Sequence, residues 1–198
     1  MQPYEIISGP LKLWLAPVGT AFPLLGAAPS GSWISIGTNN DRNQSGDGVT
    51  VSHSETLQKV RPGGAMGPVK VFREEEDLML KVVMWDMTLE QYATALNGNS
   101  ITTTAAGVGT AGVKKIGLSK GKDVKQWALL ARGPSAYDDA YIAQYEVPRC
   151  YQSANAEVVH RKGAPAGISL EFTALEDLGA SNEAERFGRL IMQHAAAL

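Results

Sequence analysis

The chain has 198 residues, enough for one domain that buries roughly 70% of its unfolded surface without disulfide or metal staples. Its 18 Lys and Arg stand against 20 Asp and Glu, a net charge of −2, so no global positive field attracts nucleic acid, which argues against a sequence-specific DNA reader. The single cysteine, Cys150, excludes an intrachain disulfide, and no Cys/His grouping has zinc-ligand spacing, which suits assembly in a reducing compartment.

No apolar run approaches the ~20 residues of a membrane helix. The opening stretch MQPYEIISGP has no basic segment leading into an apolar one. The reading is therefore of a soluble, unexported protein without membrane insertion.

Along the chain, alternation dominates over helical periodicity. "LKLWLAPVG" alternates through Leu11, Leu13 and Leu15, and "WISIG" is a short run of strand formers. From about residue 37 to 67 the chain reads as a long irregular region, with one or two strands, such as "GVTVSH" through Val49 and Val51, between polar, Gly-rich ends. Within it "DRNQSGDGVTVS" mimics a calcium loop through Asp41, Asn43, Ser45 and Gly46. The twelfth position is Ser52 rather than a bidentate carboxylate, so the stretch reads as a polar turn.

Val69 and Val71 then place the apolar face on odd numbers, whereas Leu78, Leu80, Val82 and Met84 place it on even ones. Side chains alternate with period 2 along a strand, so the change of parity across Glu74, Glu75, Glu76 and Asp77 requires a turn or a bulge. The acids are accordingly expected at or beside a hairpin tip. Thr88 with Gln91 forms a capping-box pattern for a helix at about 88–97, with Leu89, Tyr92, Ala93 and Leu96 as its apolar stripe and Asn97-Gly98 as its stop.

A second loop covers about 98–115. Its "GVGTAG", residues 107–112, has the letters of a dinucleotide-binding turn, but "VKKIGLSKGKD" follows in place of an amphipathic helix, and the reading is a loop without a cofactor. "QWALLAR" is a strand, Gly and Pro punctuate the chain at 133–139 and 161–167, and "GISLEFTAL" alternates Ile168, Leu170, Phe172 and Ala174 against Ser169, Glu171 and Thr173. A C-terminal helix is expected at about 182–194, capped by Ser181 or Asn182, with Phe187, Leu190, Ile191 and His194 at helical spacing and Gly188 as a blemish.

At least eight strand-like segments and few helices give a mainly β fold class, an antiparallel sandwich or barrel in one domain with one short packed helix and the C-terminal one. His53, His160 and His194 are far apart, and no Ser or Cys stands in a nucleophile setting. No catalytic, cofactor-binding or metal site is expected. A rival reading is a β-sandwich module binding carbohydrate or protein, with Trp14, Trp33, Trp85 and Trp127 as a stacking platform.

The order of features resembles a known family. "WLAPVG", "GDGVTVSHSETLQKV", the acid-containing hairpin, "WDMTLEQYATALNG", "WALLARGPSAYDDAYIAQYEVPRCY" and "AGISLEFTALED" are similar in layout and phrasing to the major tail protein of long, non-contractile-tailed bacteriophages, over roughly residues 9 to 192. The resemblance implies a non-enzymatic virion protein, made and assembled in the host cytoplasm. Six copies would form a ring, and stacked rings the tube through which DNA is ejected. The implied partners are further copies of the chain, the tape measure, tail terminator and distal tail proteins, and phage DNA passing without sequence-specific binding.

On that footing the polar positions Ser169, Glu171 and Thr173, and the cluster Glu74, Glu75, Glu76 and Asp77, are candidates to face the lumen, with an ordinary outer surface as the competing reading. A lining rich in Lys and Arg would hold DNA by counterion release, whereas a polar or acidic wall lets it slide. The candidate ring-stacking loop carries Asn39, Asn40, Asp41, Arg42, Asp47 and Arg61.

Overall fold

The alternation of Ile168–Ala174 is realised without exception: every apolar position is buried and every polar one is half-buried. The computed structural model describes residues 7–134, 141–155, 157, 158, 160, 162, 163 and 165–194. The punctuation read at 133–139 and 161–167 lies partly outside the described residues.

In chain order the strands are β1 (Lys12–Pro17), β2 (Ile34–Ser35), β3 (Gln44–Val60), β4 (Lys70–Met84), β5 (Ile101–Thr104) and β6 (Val113–Ile116). They continue as β7 (Gln126–Pro134), β8 (Ile142–Gln152), β9 (Ile168–Ala174) and β10 (Arg189–Met192), with one helix, α1 (Leu89–Ala95), after β4. The main sheet is antiparallel, in the order β2-β1-β7-β8-β9-β4-β3, with β10 also on β8, and β5 and β6 form a separate hairpin.

The fold is mainly β and sandwich- or barrel-like, as the alternation predicts. The sheet turns at β8, whose far edge is divided between β10 along Ala143–Glu146 and β9 along Cys150–Gln152. It curls until the start of β3 and the turn before it lie against the start of β1 and the residue leading into it. The Gln44 side-chain amide on β3 donates to the Leu11 carbonyl at 2.8 Å, and Leu13 N donates to Asn40 Oδ1 at 3.1 Å. One core fills the interior, with Leu13 and Leu129 from one half and Leu80, Leu170 and Phe172 from the other, all essentially inaccessible to solvent.

A smaller cluster of Ala16, Trp33, Ala128 and Leu130, with Phe22 against Trp33 at 5.3 Å between ring centroids, packs residues 18–33 over the outer face of β1 and β7. Trp127 lies in the main core, Trp14 borders the smaller cluster, and Trp85 is half exposed.

Helix α1 follows its sequence signals. Thr88 Oγ1 accepts from Gln91 N at 3.3 Å, Asn97 takes a positive φ of 71°, and Gly98 N donates to the Ala93 carbonyl at 2.6 Å, the bond that closes the helix end.

Three expectations change. The helix expected at 182–194 is a 3-10 turn at Glu183–Glu185 followed by strand β10. Gly188 decides this. Its φ of 139° favours glycine, and a Cβ there would come within 2.5 Å of the Glu146 carbonyl, so the chain passes flush against β8 and pairs with it. The region 37–67 is largely ordered, since strand β3 occupies 44–60 of it. The loop at 98–115 is in large part the β5–β6 hairpin, closed over GVGTAG by reciprocal backbone hydrogen bonds between Gly107 and Thr110 at 3.0 and 3.1 Å, with a strand after it.

Candidate functional site

Strands β3 and β4 continue together past the edge of the core as a two-stranded arm. From His53 opposite Leu78 to Val60 opposite Lys70 the pairing persists, and beyond Leu78 every arm residue on both strands is exposed. At ~3.3 Å per residue the paired part is about 25 Å long. Its tip, 61–69, is closed by Val69 N on the Val60 carbonyl at 3.0 Å and Ala65 N on the Pro62 carbonyl at 2.9 Å.

The acids, expected at or beside a hairpin tip, lie along the shaft of this arm, four or more residues in from the tip-side end of β4. Thr56 pairs with Glu75 and Leu57 with Arg73, which leaves Glu74 as an unpaired bulge residue. That one extra residue reverses the parity. Beyond it Arg73 joins Glu55 and Glu76 on the core-side face, with Nε to Glu55 at 2.8 Å and Nη1 to Glu76 at 3.4 Å. The hydrogen bond to Glu55, followed by the charges of Glu55 and Glu76, holds the Arg73 guanidinium above its ordinary pKa.

The register sorts the candidate lumen residues. Met79 pairs with Thr173, Lys81 with Glu171 and Val83 with Ser169, so the β9 positions share one sheet face with Asp77 and Glu75. Thr50, Ser52, Ser54 and Thr56 of β3 lie opposite Lys81, Met79, Asp77 and Glu75 on that same face. Thr173 donates to Ser153 Oγ at 2.8 Å, and Ser153 donates to the Glu171 carboxylate at 3.2 Å. The result is a hydroxyl-rich, mildly acidic surface on the side away from the core. Glu76 faces the opposite way and Glu74 belongs to neither row.

Of the candidate stacking residues, Asp41 and Asp47 are brought together on the wall of one cleft, and the rest are spread apart. Asn39 precedes and Asn40, Asp41 and Arg42 form a 3-10 turn beside β1, with Asp41 3.9 Å from Lys12. Asp47 lies between Gln44 and Val49, where the β3–β4 register shifts, and Arg61 is at the far end of the arm. His53, His160 and His194 are each exposed.

A buried polar ladder escaped the sequence reading. Arg132 on β7 donates Nε and Nη2 to Gln144 Oε1 at 3.0 and 2.6 Å, Nη1 to the Ala27 carbonyl at 2.6 Å and Nη2 to that of Leu24 at 3.2 Å. Gln144 Nε2 donates to the Pro23 carbonyl and to Glu146, whose other oxygen accepts from Arg189 Nε at 2.7 Å. Burial lowers the Arg132 pKa against the opposing charge of Glu146, whereas the bond to Glu146 raises that of Arg189. The ladder ties residues 23–27, β7, β8 and β10 together, which is a structural task.

Cys150 is fully buried, and desolvation pushes its thiol from 9.0 up to about 12. It is expected to resist alkylation at pH 8 in the folded chain and to react at once in denaturant. Rapid modification without unfolding would refute this. The neutral thiol is favoured by folding, so its contribution to stability is intact below pH 9 and declines as pH rises from 9 toward 12.

Among the described residues, no helix is long and apolar enough to cross a membrane. Comparison with protein-family models gave no match to the chain, and comparison with curated proteins gave none either.

Proposed function

We propose that this chain is a self-assembling structural subunit of the tail-tube kind, whose copies join into rings and a hollow tube that conducts phage DNA. The observation that carries the reading is the β3–β4 arm. An isolated two-stranded ribbon is marginal in water, yet this one projects about 25 Å with both faces wet and, among the described residues, the outer edge of β3 unpaired along its length. It also exposes Leu57, Val71 and Phe72. Such an element gains its stability from neighbours, and an open strand edge is a template for another chain.

The polar face supports the conduit part of the reading. Hydroxyls with Glu75, Asp77 and Glu171 against Lys81 offer a passing polyanion little to grip. The tape measure, tail terminator and distal tail proteins are the proposed neighbours in the virion, and no catalysis is assigned.

Light scattering and electron microscopy of the purified chain over a range of concentrations test the proposal. Rings or tubes about a hundred ångström across, the size given by a ring of ordinary domains, are the expected result. A monomer that persists at millimolar concentration would refute it.

A further inference from the structure

A cleft of about 720 Å³ opens between residues 7–11 and the start of β3, with Tyr145 on its wall. Its polar lining is unusual. Gln44 and Ser45 are each more than nine-tenths buried, yet among the described residues Gln44 Oε1 and Ser45 Oγ have no hydrogen-bond partner. Leaving such atoms unmatched is costly to the fold. Asp41 and Asp47 stand beside them, and Leu11, Val49 and Val51 supply apolar wall. A ligand that suits this lining brings hydrogen-bond donors with positive charge, carried on an apolar body.

The arm tip has that chemistry. Between Lys59 and Phe72 the sequence carries Lys59, Arg61 and Lys70 with no acid, alongside Val60, Met66 and Val69. Met66 and Val69 are exposed, Met66 completely. The tip cannot reach the cleft of its own chain. The paired arm leads away from Val51, which lines the cleft, to Val60, a chain distance of about 30 Å at 3.3 Å per residue.

We infer that the cleft at Gln44, Ser45 and Asp47 is the receptor for the arm tip of a second copy of this chain, with Arg61 as the group that meets Asp41 and Asp47 on its wall. The inference rests on the self-assembly proposed above and names its contact. Each subunit gives one tip and receives one, a head-to-tail arrangement that propagates until it closes into a ring or continues as a filament.

Two full-length variants, Asp47→Cys and Gly64→Cys, both at exposed positions, test the contact when mixed and oxidised. The expected product is a disulfide-linked pair containing one chain of each kind, with neither variant alone giving the same yield. In parallel, Arg61→Glu and Asp47→Arg are each expected to raise the concentration needed for assembly on the order of tenfold, and their combination to recover most of that loss. Particles that form normally yet give no mixed cross-link, or that ignore both charge reversals, would overturn this docking and leave self-assembly standing. A wild-type chain that stays monomeric would overturn both.

Discussion

Replacing residues 55–76 by Asn-Gly is expected to yield a folded monomer that has lost assembly. Ser54 and Asp77 face each other in the register, so a two-residue turn of the kind that Asn-Gly favours joins them while Leu78, Leu80 and Val82 keep their places in the core. Everything removed except the half-buried Ala65 is exposed, and its polar contacts, such as Arg73 with Glu55 and Glu76, lie within the arm. Circular dichroism and the melting temperature should therefore stay close to those of the parent chain. Assembly should weaken on the order of a hundredfold or more, because a whole docking element goes at once instead of a single contact. Sedimentation over a concentration series reads the outcome, and normal rings or tubes from the shortened chain would remove the arm from the assembly mechanism.

The second large effect concerns the buried ladder. Arg132→Met retains most of the side-chain volume but strips donors from Gln144 and from the carbonyls of Leu24 and Ala27, and it leaves Glu146 with Arg189 as its remaining cation in the ladder. Hydrogen bonds from a charged donor contribute about 1.5–3 kcal/mol, and orphaned buried acceptors add their own penalty, so a loss of about 3 kcal/mol is expected. In a chain of this size that lowers the melting temperature by about 6 to 12 °C. Limited proteolysis should also find new cleavage in residues 18–33, because the bonds from Arg132 to the Leu24 and Ala27 carbonyls are gone and the Gln144 bond to Pro23 is left to hold that stretch. An unchanged melting temperature would show that the ladder is dispensable.

How much was legible in the sequence follows from how local each signal is. Ile168–Ala174 declared both its strand and its inner face, because one side is wholly buried and the other is not. Thr88, Gln91 and Asn97-Gly98 declared α1, because a cap is a contact between residues a few positions apart. The 182–194 segment failed for the opposite reason. Its spacing of Phe187, Leu190, Ile191 and His194 fits a helix, but the open rim of β8 more than forty residues earlier claims Arg189–Met192, and only Gly188 hinted at that close approach.

The β3 half of the arm fell in a region read as largely irregular because alternation marks a strand through its dry side, and a ribbon wet on both sides has none to show. The parity change at Glu74 was correctly detected, yet a bulge and a turn leave the same trace in sequence. Nothing local could reveal the ladder or the unmatched atoms of Gln44 and Ser45. They exist because distant strands meet around them.

The divided rim of β8 has a consequence for synthesis. Its first half, Ala143–Glu146, is sealed by a segment that leaves the ribosome more than forty residues later. Until residue 192 has emerged, a nascent chain carries a naked strand beside an uncapped Glu146 carboxylate. A polypeptide lacking Arg189–Met192 would keep that sticky flank and present to its siblings a seam that the paired strand hides.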